Sequence, residues 1–317
     1  MHAEPSRPLE AAPAAPDNPR VSTSAEQGAR PSQLRLGCAL WGHAGWNGSL
    51  YPRGTRPERR LERYAQRLGT VEVNSTFYAL PKPQTLAHWA ESVDAPFRFV
   101  PKVPRDISHD EPRASHPAEL LEFARYLEPL SAQLGPVLLQ LGPKAGPERW
   151  PALRALCEAW PAERPALALE LRHPSWFAPE LAPRWLEEAR ALGLGRCILD
   201  SRSIHAHDAG GVASIGRNKP AVPLLCAPTT QTQLVRFVGH PDLPRNATWI
   251  GEWAARIHGW LDEGKDVYWF AHCPVEDMSP FLALALERAL LARGAPIEAS
   301  ALGDMGREEQ AELFDIA

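Results

Sequence analysis

Eight short apolar runs, each followed by a stretch of helical period, constrain this chain more than anything else in it. The runs fall at 34–41, 70–76, 97–102, 137–141, 166–172, 196–200, 234–238 and 267–272. Between them apolar residues recur at helical spacing, as in Leu61, Tyr64, Ala65 and Leu68, then Leu120, Phe123, Ala124 and Leu127, then Ile250, Ala254, Ile257 and Leu261, with a last such segment at 281–291. Alternating strand and helix signals are what βα crossovers around a parallel sheet produce. Eight units in residues 33–303 fill the roughly 250 residues of a (β/α)₈ barrel. The expected fold is therefore α/β, a single TIM-type barrel.

Strand parity tests this reading, because side chains alternate faces and a barrel strand is aliphatic on the side that meets the helices. One parity reads Leu34, Leu36, Cys38, Leu40; Val71, Val73; Phe97, Phe99; Val137, Leu139, Leu141; Leu167, Leu169, Leu171; Cys197, Leu199; Val235, Phe237; Val267, Trp269, Ala271. The other ends in polar or amphipathic groups: Trp41, Glu72, Asn74, Thr76, Lys102, Gln140, Glu170, Arg172, Asp200, Arg236 and His272. These are expected to point inward at the strand C-terminal ends, the face on which such barrels carry their sites. The rival, a doubly wound open sheet, lacks its phosphate-binding G-x-G-x-x-G after any strand.

The ends of the chain read differently. Residues 1–32 are rich in Pro and Ala, lack aromatics and show no apolar period, which predicts a disordered tail. Of the net charge of −4, this tail carries −1 (three Arg against four acids) and an acidic tail at 304–317 carries −4 (one Arg against five acids), leaving +1 on the barrel. A near-neutral body offers no general field for nucleic acid or membrane. No apolar run approaches the roughly 20 residues of a membrane span, and the first 30 residues lack the continuous apolar stretch of a signal peptide. The five cysteines are odd in number, scattered and without a C-x-x-C pair, as expected of reduced thiols in a cytoplasmic protein. The stretch 201–228, with several Gly and Pro and no clear helix, is predicted to form an extended loop on the mouth rim.

The blocks GHAGWNGSLYP (42–52), TVEVNSTFYALP (70–81), FRFVPKVPRDISH (97–109), LALELRHPSWF (167–177) and VYWFAHCPVEDMSP (267–280) resemble the DUF72, or YecE-like, family of bacterial proteins. The resemblance runs from about Leu36 to Leu290 and implies a TIM-type barrel without an established activity. Many members end strand 8 in Phe-Asn-Asn; this chain has Phe270-Ala271-His272 and resembles the subgroup with a histidine there.

Three inward cations, Lys102, Arg172 and Arg236, with Gln140 among them, suit a small anionic ligand such as a sugar or nucleotide phosphate. Glu72, Glu170 and Asp200 are the candidate acid/base groups of a hydrolase, lyase or isomerase. The bland alternative pairs the three cations with these three carboxylates, with Arg98 as a further partner for Glu72. Trp41, Asn74, Thr76, Tyr78, His173 and His272 complete the candidate ligand-binding set. His173 and Trp176 have a second reading, as residues that pin the loop after strand 5. The aromatics Trp41, Trp46, Phe77, Tyr78 and Trp176 beside cations fit a second function, the stacking of single-stranded nucleic acid; the small net charge of the body favours the small ligand. Glu170, Asp200, His240 and His272 end strands 5 to 8 in order and carry metal-ligating atoms. Arg172 and Arg236 on the same face compete for those carboxylates, and His205 and His207 form H-x-H only in the Gly-rich loop. No metal and no cofactor are expected.

Overall fold

The computed structural model describes residues 32–206 and 220–305. The Pro/Ala-rich segment to residue 31, the acidic segment from 306, and 207–219 with His207 lie outside the described residues. Eight strands stand at the eight apolar runs: β1 Leu34–Cys38, β2 Thr70–Val73, β3 Arg98–Pro101, β4 Val137–Gln140, β5 Leu167–Glu170, β6 Gly195–Asp200, β7 Thr232–Val238 and β8 Asp266–His272. All neighbours pair in parallel, in the order β3-β2-β1-β8-β7-β6-β5-β4. The two edges of that sheet, β3 and β4, meet through two isolated parallel bridges, Phe99 with Leu134 and Lys102 with Leu138. There Gly135 N donates to Phe99 O (2.8 Å) and Val103 N to Leu138 O (2.9 Å), which makes the sheet a nearly closed barrel.

Helices fill the crossovers: α1 Arg60–Ala65, α2 Ser75–Tyr78, α3 Pro83–Glu91, α4 Arg105–Ser108, α5 His116–Tyr126, α6 Trp150–Glu158, α7 Ala182–Ala191, α8 Arg202–His205, α9 Ala247–Asp262 and α10 Ser279–Ala292. The sequence punctuates them. Proline stands in the first turn of α3, α5, α6, α7 and α10, where its fixed φ suits the helix and its missing N–H costs nothing. Beyond α9, Gly264 takes φ 78°, and Lys265 N donates to Trp260 O (2.8 Å), so a left-handed residue closes the helix end. No helix among the described residues is long and apolar enough to cross a membrane, and all five cysteines are free thiols.

The predicted outer parity packs as one layer between strands and helices, with Val71, Phe99, Leu139, Leu169, Phe237 and Trp269 among its members. Inside the barrel Val100, Leu138, Ala168, Cys197, Leu234, Tyr268 and Phe270 form a separate apolar plug. Two residues further along the strands lie the chemistry-bearing groups, resting on that plug. β6 overturns its predicted parity. Cys197 belongs to the plug and Leu199 packs inside with Ile204 and Val238, while Ile198 joins the outer layer. Arg196 accordingly lies over the Trp185 ring of α7, and Asp200 turns outward. The described part of the loop after β6 also departs from expectation. A short helix, α8, opens it, and 224–227 then pack against the outer core instead of standing on the rim, with Leu225 O and Ala227 O accepting from Arg196 Nη1 (2.6 and 3.2 Å).

Candidate functional site

Above the plug, one residue from each of six strands or strand ends faces the barrel axis: Glu72 from β2, Lys102 just after β3, Gln140 from β4, Glu170 from β5, Arg236 from β7 and His272 from β8. The strand register sets their level; Gln140 pairs with Glu170 across β4 and β5, for instance. Arg236 is the hub. It donates from Nε to Glu72 Oε1 (2.7 Å) and from Nη2 to Glu72 Oε2 (3.1 Å), and from Nη1 to Glu170 Oε2 (2.7 Å) and Gln140 Oε1 (3.2 Å). Arg172, just past β5, donates from Nε to Glu170 Oε1 (2.6 Å) and from Nη2 to Gln140 Oε1 (2.6 Å). His272 Nε2 donates to Glu72 Oε1 (2.9 Å), and Asn74 Nδ2 to Glu72 Oε2 (3.1 Å) and Ala39 O (2.9 Å).

This bonding fixes the charge state of both carboxylates. Burial alone would raise each of them; the Arg236 guanidinium and His272 more than reverse that for Glu72, which sits well below the usual carboxylate range. Arg172 and Arg236 likewise bring Glu170 down to about 2. Every oxygen of the two is engaged, so they act as ionised counterions to buried guanidiniums and are poor proton acceptors near neutral pH.

Lys102 is different. Two carboxylates face two guanidiniums, and the ammonium has no carboxylate within ion-pair distance among the described residues. Its Nζ lies 3.5 Å from the centroid of the Phe77 ring. Burial, with Arg236 and Arg172 close by, lowers its pKa to about 8. Its backbone is pinned: Thr76 Oγ1 donates to Lys102 O (2.7 Å) and accepts from Lys102 N (3.2 Å), tying the ends of β2 and β3 together.

His109, just past α4, completes the constellation and was absent from the sequence-derived set. Its ring packs edge-on against Phe77, centroids 4.9 Å apart. With Gln140 Oε1 taken by the two arginines, Gln140 Nε2 donates to His109 Nε2 (3.3 Å), which leaves the ring proton on Nδ1 for Ser108 Oγ (3.0 Å). Burial, then the neighbouring Lys102 and Arg172, push it down to about 4, a neutral imidazole. It stands on no strand, so the parity argument could not reach it; the available signal was its position seven residues after Lys102 in the same loop.

The remaining predicted residues go elsewhere. Asp200 leaves the mouth: its oxygens accept from Arg202 Nε (3.0 Å), Arg202 Nη2 (3.0 Å) and Trp253 Nε1 of α9 (2.8 Å). Trp41 packs edge-on against Trp89 of α3 at 4.9 Å, in the helix-facing layer. His173 accepts from Ser175 N (3.3 Å) and caps the turn after β5. Trp46 and Trp176 are buried, donating to Glu276 O (3.0 Å) and Ala145 O (2.7 Å). Of the five predicted rim aromatics Tyr78 is the exposed one, 80% accessible with its ring edge-on to Phe77. Arg98, proposed as the partner of Glu72, instead bonds Ala95 O and Phe97 O at the far end of the barrel. His240 Nδ1 accepts from Asp242 N (2.9 Å) in the turn after β7, so the row Glu170, Asp200, His240 and His272 does not converge. Among the described residues no group of three or more His, Cys, Asp or Glu is placed to hold a metal.

A cavity of about 440 Å³ lies outside the ring of strands, between α4, α5 and α6, with Ile107, Leu141, Leu153 and Leu156 on its apolar walls and Arg113 and Arg149 at its edge. Ser108, which binds His109, also lines it.

Comparison with known proteins agrees with the architecture. Residues 35–303 match the family described as "Protein of unknown function DUF72". The chain is 33% identical over 229 residues to the UPF0759 protein YecE of Escherichia coli K12, covering 71% of this chain and 84% of that one. It is 26% identical over 217 residues to the UPF0759 protein YunF of Bacillus subtilis 168, covering 65% and 70%. The crystal structure of a DUF72 family protein from Enterococcus faecalis V583 superposes with a TM-score of 0.66 at 21% identity over 82% of this chain and 96% of that one. One from Thermotoga maritima MSB8 gives 0.60 at 21% identity over 82% and 99%. The parallel barrel, the matched span and the sequence identity together make this chain a member of the DUF72, or UPF0759, family.

Proposed function

We propose that the protein is a cytosolic enzyme acting on a small anionic ligand, a phosphorylated sugar or a nucleotide, bound at the C-terminal mouth of the barrel. The observation that carries this reading is the uncompensated Lys102. Three cations and three carboxylates were candidates to neutralise one another; with Asp200 turned outward, the mouth keeps one positive charge more than negative. An anion supplies the missing charge in a setting where water is scarce and the attraction is strong. Lys102 and the open Nη1 edge of Arg172 are its ligands, Arg236 being consumed by Glu72 and Glu170. The acid/base work then falls to Lys102, whose pKa of about 8 is near the operating range, and not to the two saturated carboxylates.

Thermal shift with phosphorylated metabolites against neutral sugars tests the reading. Stabilisation by the phosphorylated class alone, weakened at least tenfold in affinity by Arg172→Ala, is expected. Equal shifts from both classes, or none, overturn it. The nucleic-acid alternative keeps one support, exposed Tyr78 beside Phe77. Micromolar binding of single-stranded oligonucleotides, falling steeply with salt and abolished by Arg172→Ala, would favour it over the small ligand.

A further inference from the structure

We propose that the Lys102 side-chain amine is a nucleophile that forms an imine with the carbonyl carbon of an anionic aldehyde or ketone. This rests on the reading of the mouth as an anion site and names the substrate class. The placement of the amine carries it. Most buried lysines hold a carboxylate, which keeps the amine protonated and its lone pair occupied. Lys102 has none among the described residues; its Nζ lies over an aromatic face, and the residue as a whole is 6% exposed.

Every charged element facing the amine contributes. Arg236 from β7 and Arg172 after β5 oppose its protonation, Glu170 from β5 and Glu72 from β2 favour it, and burial outweighs them all. His109, edge-on to the same Phe77 ring, is held neutral and so adds no charge of its own beside the amine. The face of Phe77 favours the ammonium, but an aromatic quadrupole holds a cation less firmly than a carboxylate does. A lysine desolvated beside other cations is an amine made available near neutral pH.

The reaction balances with what the mouth holds. The neutral amine attacks the carbonyl carbon, an N–C bond forms, and the carbonyl π pair moves to oxygen, which takes up a proton. The nitrogen loses one proton, the oxygen takes up a second, and the C–O bond breaks as the nitrogen lone pair forms the C=N bond and water leaves, so ammonium plus carbonyl gives protonated imine plus water with no oxidant or reductant. The anionic group of the substrate meets Arg172, which fixes the carbonyl near Nζ, and the protonated imine keeps the single positive charge the ammonium carried.

The test is reductive trapping of the full-length protein with glycolaldehyde phosphate or glycolaldehyde and sodium cyanoborohydride, read by intact mass and peptide mapping. The chain has five lysines, 82, 102, 144, 219 and 265, which serve as internal controls. A single adduct at Lys102, formed at least tenfold faster than at any other lysine and half-maximal in rate near pH 8, is expected; Lys102→Arg, which keeps the charge, removes it. Adducts spread evenly over the lysines, or none at Lys102, overturn the proposal on wild-type protein alone, whatever the folding of the variant. Thermal stabilisation by phosphorylated compounds with no adduct at Lys102 overturns the imine and leaves the anion site standing. Equal trapping of the two aldehydes at Lys102 supports the nucleophile and overturns the anion site.

Discussion

Two neighbouring strands end in the same three-residue pattern, an acid, an apolar or small residue and an arginine, and the fold sends them in opposite directions. Glu170-Leu171-Arg172 after β5 places its ion pair inside the mouth, with Arg172 Nε 2.6 Å from Glu170 Oε1. Asp200-Ser201-Arg202 after β6 places an equally buried carboxylate in the outer shell, where Trp253 and Arg202 hold it. Local sequence decides that an ion pair forms; the rest of the strand decides which side of the barrel it serves. In β5 the contrast between Leu167, Leu169 and Leu171 on one face and Ala168 and Glu170 on the other leaves one solution. In β6 Cys197, Ile198 and Leu199 are apolar on both faces, so the pattern is degenerate. The tie is broken by the crossover after β6. Its extended segment at 224–227 offers backbone carbonyls where a helix would offer only side chains, and an outward Arg196 is satisfied there.

The sharpest way to break this contrast is to remove the hub of the inner pair. Arg236→Met strands Glu72 and Glu170 as buried carboxylates without their shared cation, and denaturant unfolding should lose about 3–5 kcal/mol. Acid comes next, and acts on the inner pair. Glu170 has a folded pKa of about 2 against roughly 4.3 when unfolded. Its contribution is therefore complete above pH of about 4.3 and drains away as pH falls toward about 2, with Glu72 shifting in the same direction. Glu170→Gln should flatten that slope in a pH series of melting temperatures. On the outer side, Asp200→Ala leaves Trp253 Nε1 and Arg202 without their acceptor, for a loss of about 1–3 kcal/mol. Because Asp200 lies outside the mouth, ligand-induced thermal shifts should be unchanged by it; a lost shift would return Asp200 to the site. The smallest effect belongs to the exposed end of the same outer network, where Glu252→Gln breaks the pair with Arg202 (2.9 Å) at a cost of at most about 0.5 kcal/mol.

The fold was legible because burial on the outer face of each strand leaves a period-2 record, and the predicted parity holds in seven of the eight strands. The geometry of the candidate site was legible to the same depth. Glu72, Asn74, Lys102, Gln140, Glu170, Arg172, Arg236 and His272 come together because parity and strand ends are local properties. What stayed hidden depends on contacts across the sequence. That Arg236 and not Arg98 binds Glu72 is a matter of register between distant strands. That Trp41 belongs to α3 and not to the mouth depends on where the chain leaves β1, and His109 reaches the mouth from a loop whose path no periodicity records.

The barrel is an unevenly fastened hoop. Five residue pairs register β1 against β8 and seven register β7 against β8, whereas β3 meets β4 through two bridges only. The β1–β2 and β5–β6 seams also register by two pairs, but within named strands of the sheet, whereas the β3–β4 seam is closed by isolated bridges. One of the two residues fastening the joint on the β3 side is Lys102, the same residue whose amine faces the mouth. The backbone that carries the amine is thus also part of the seam that closes the barrel.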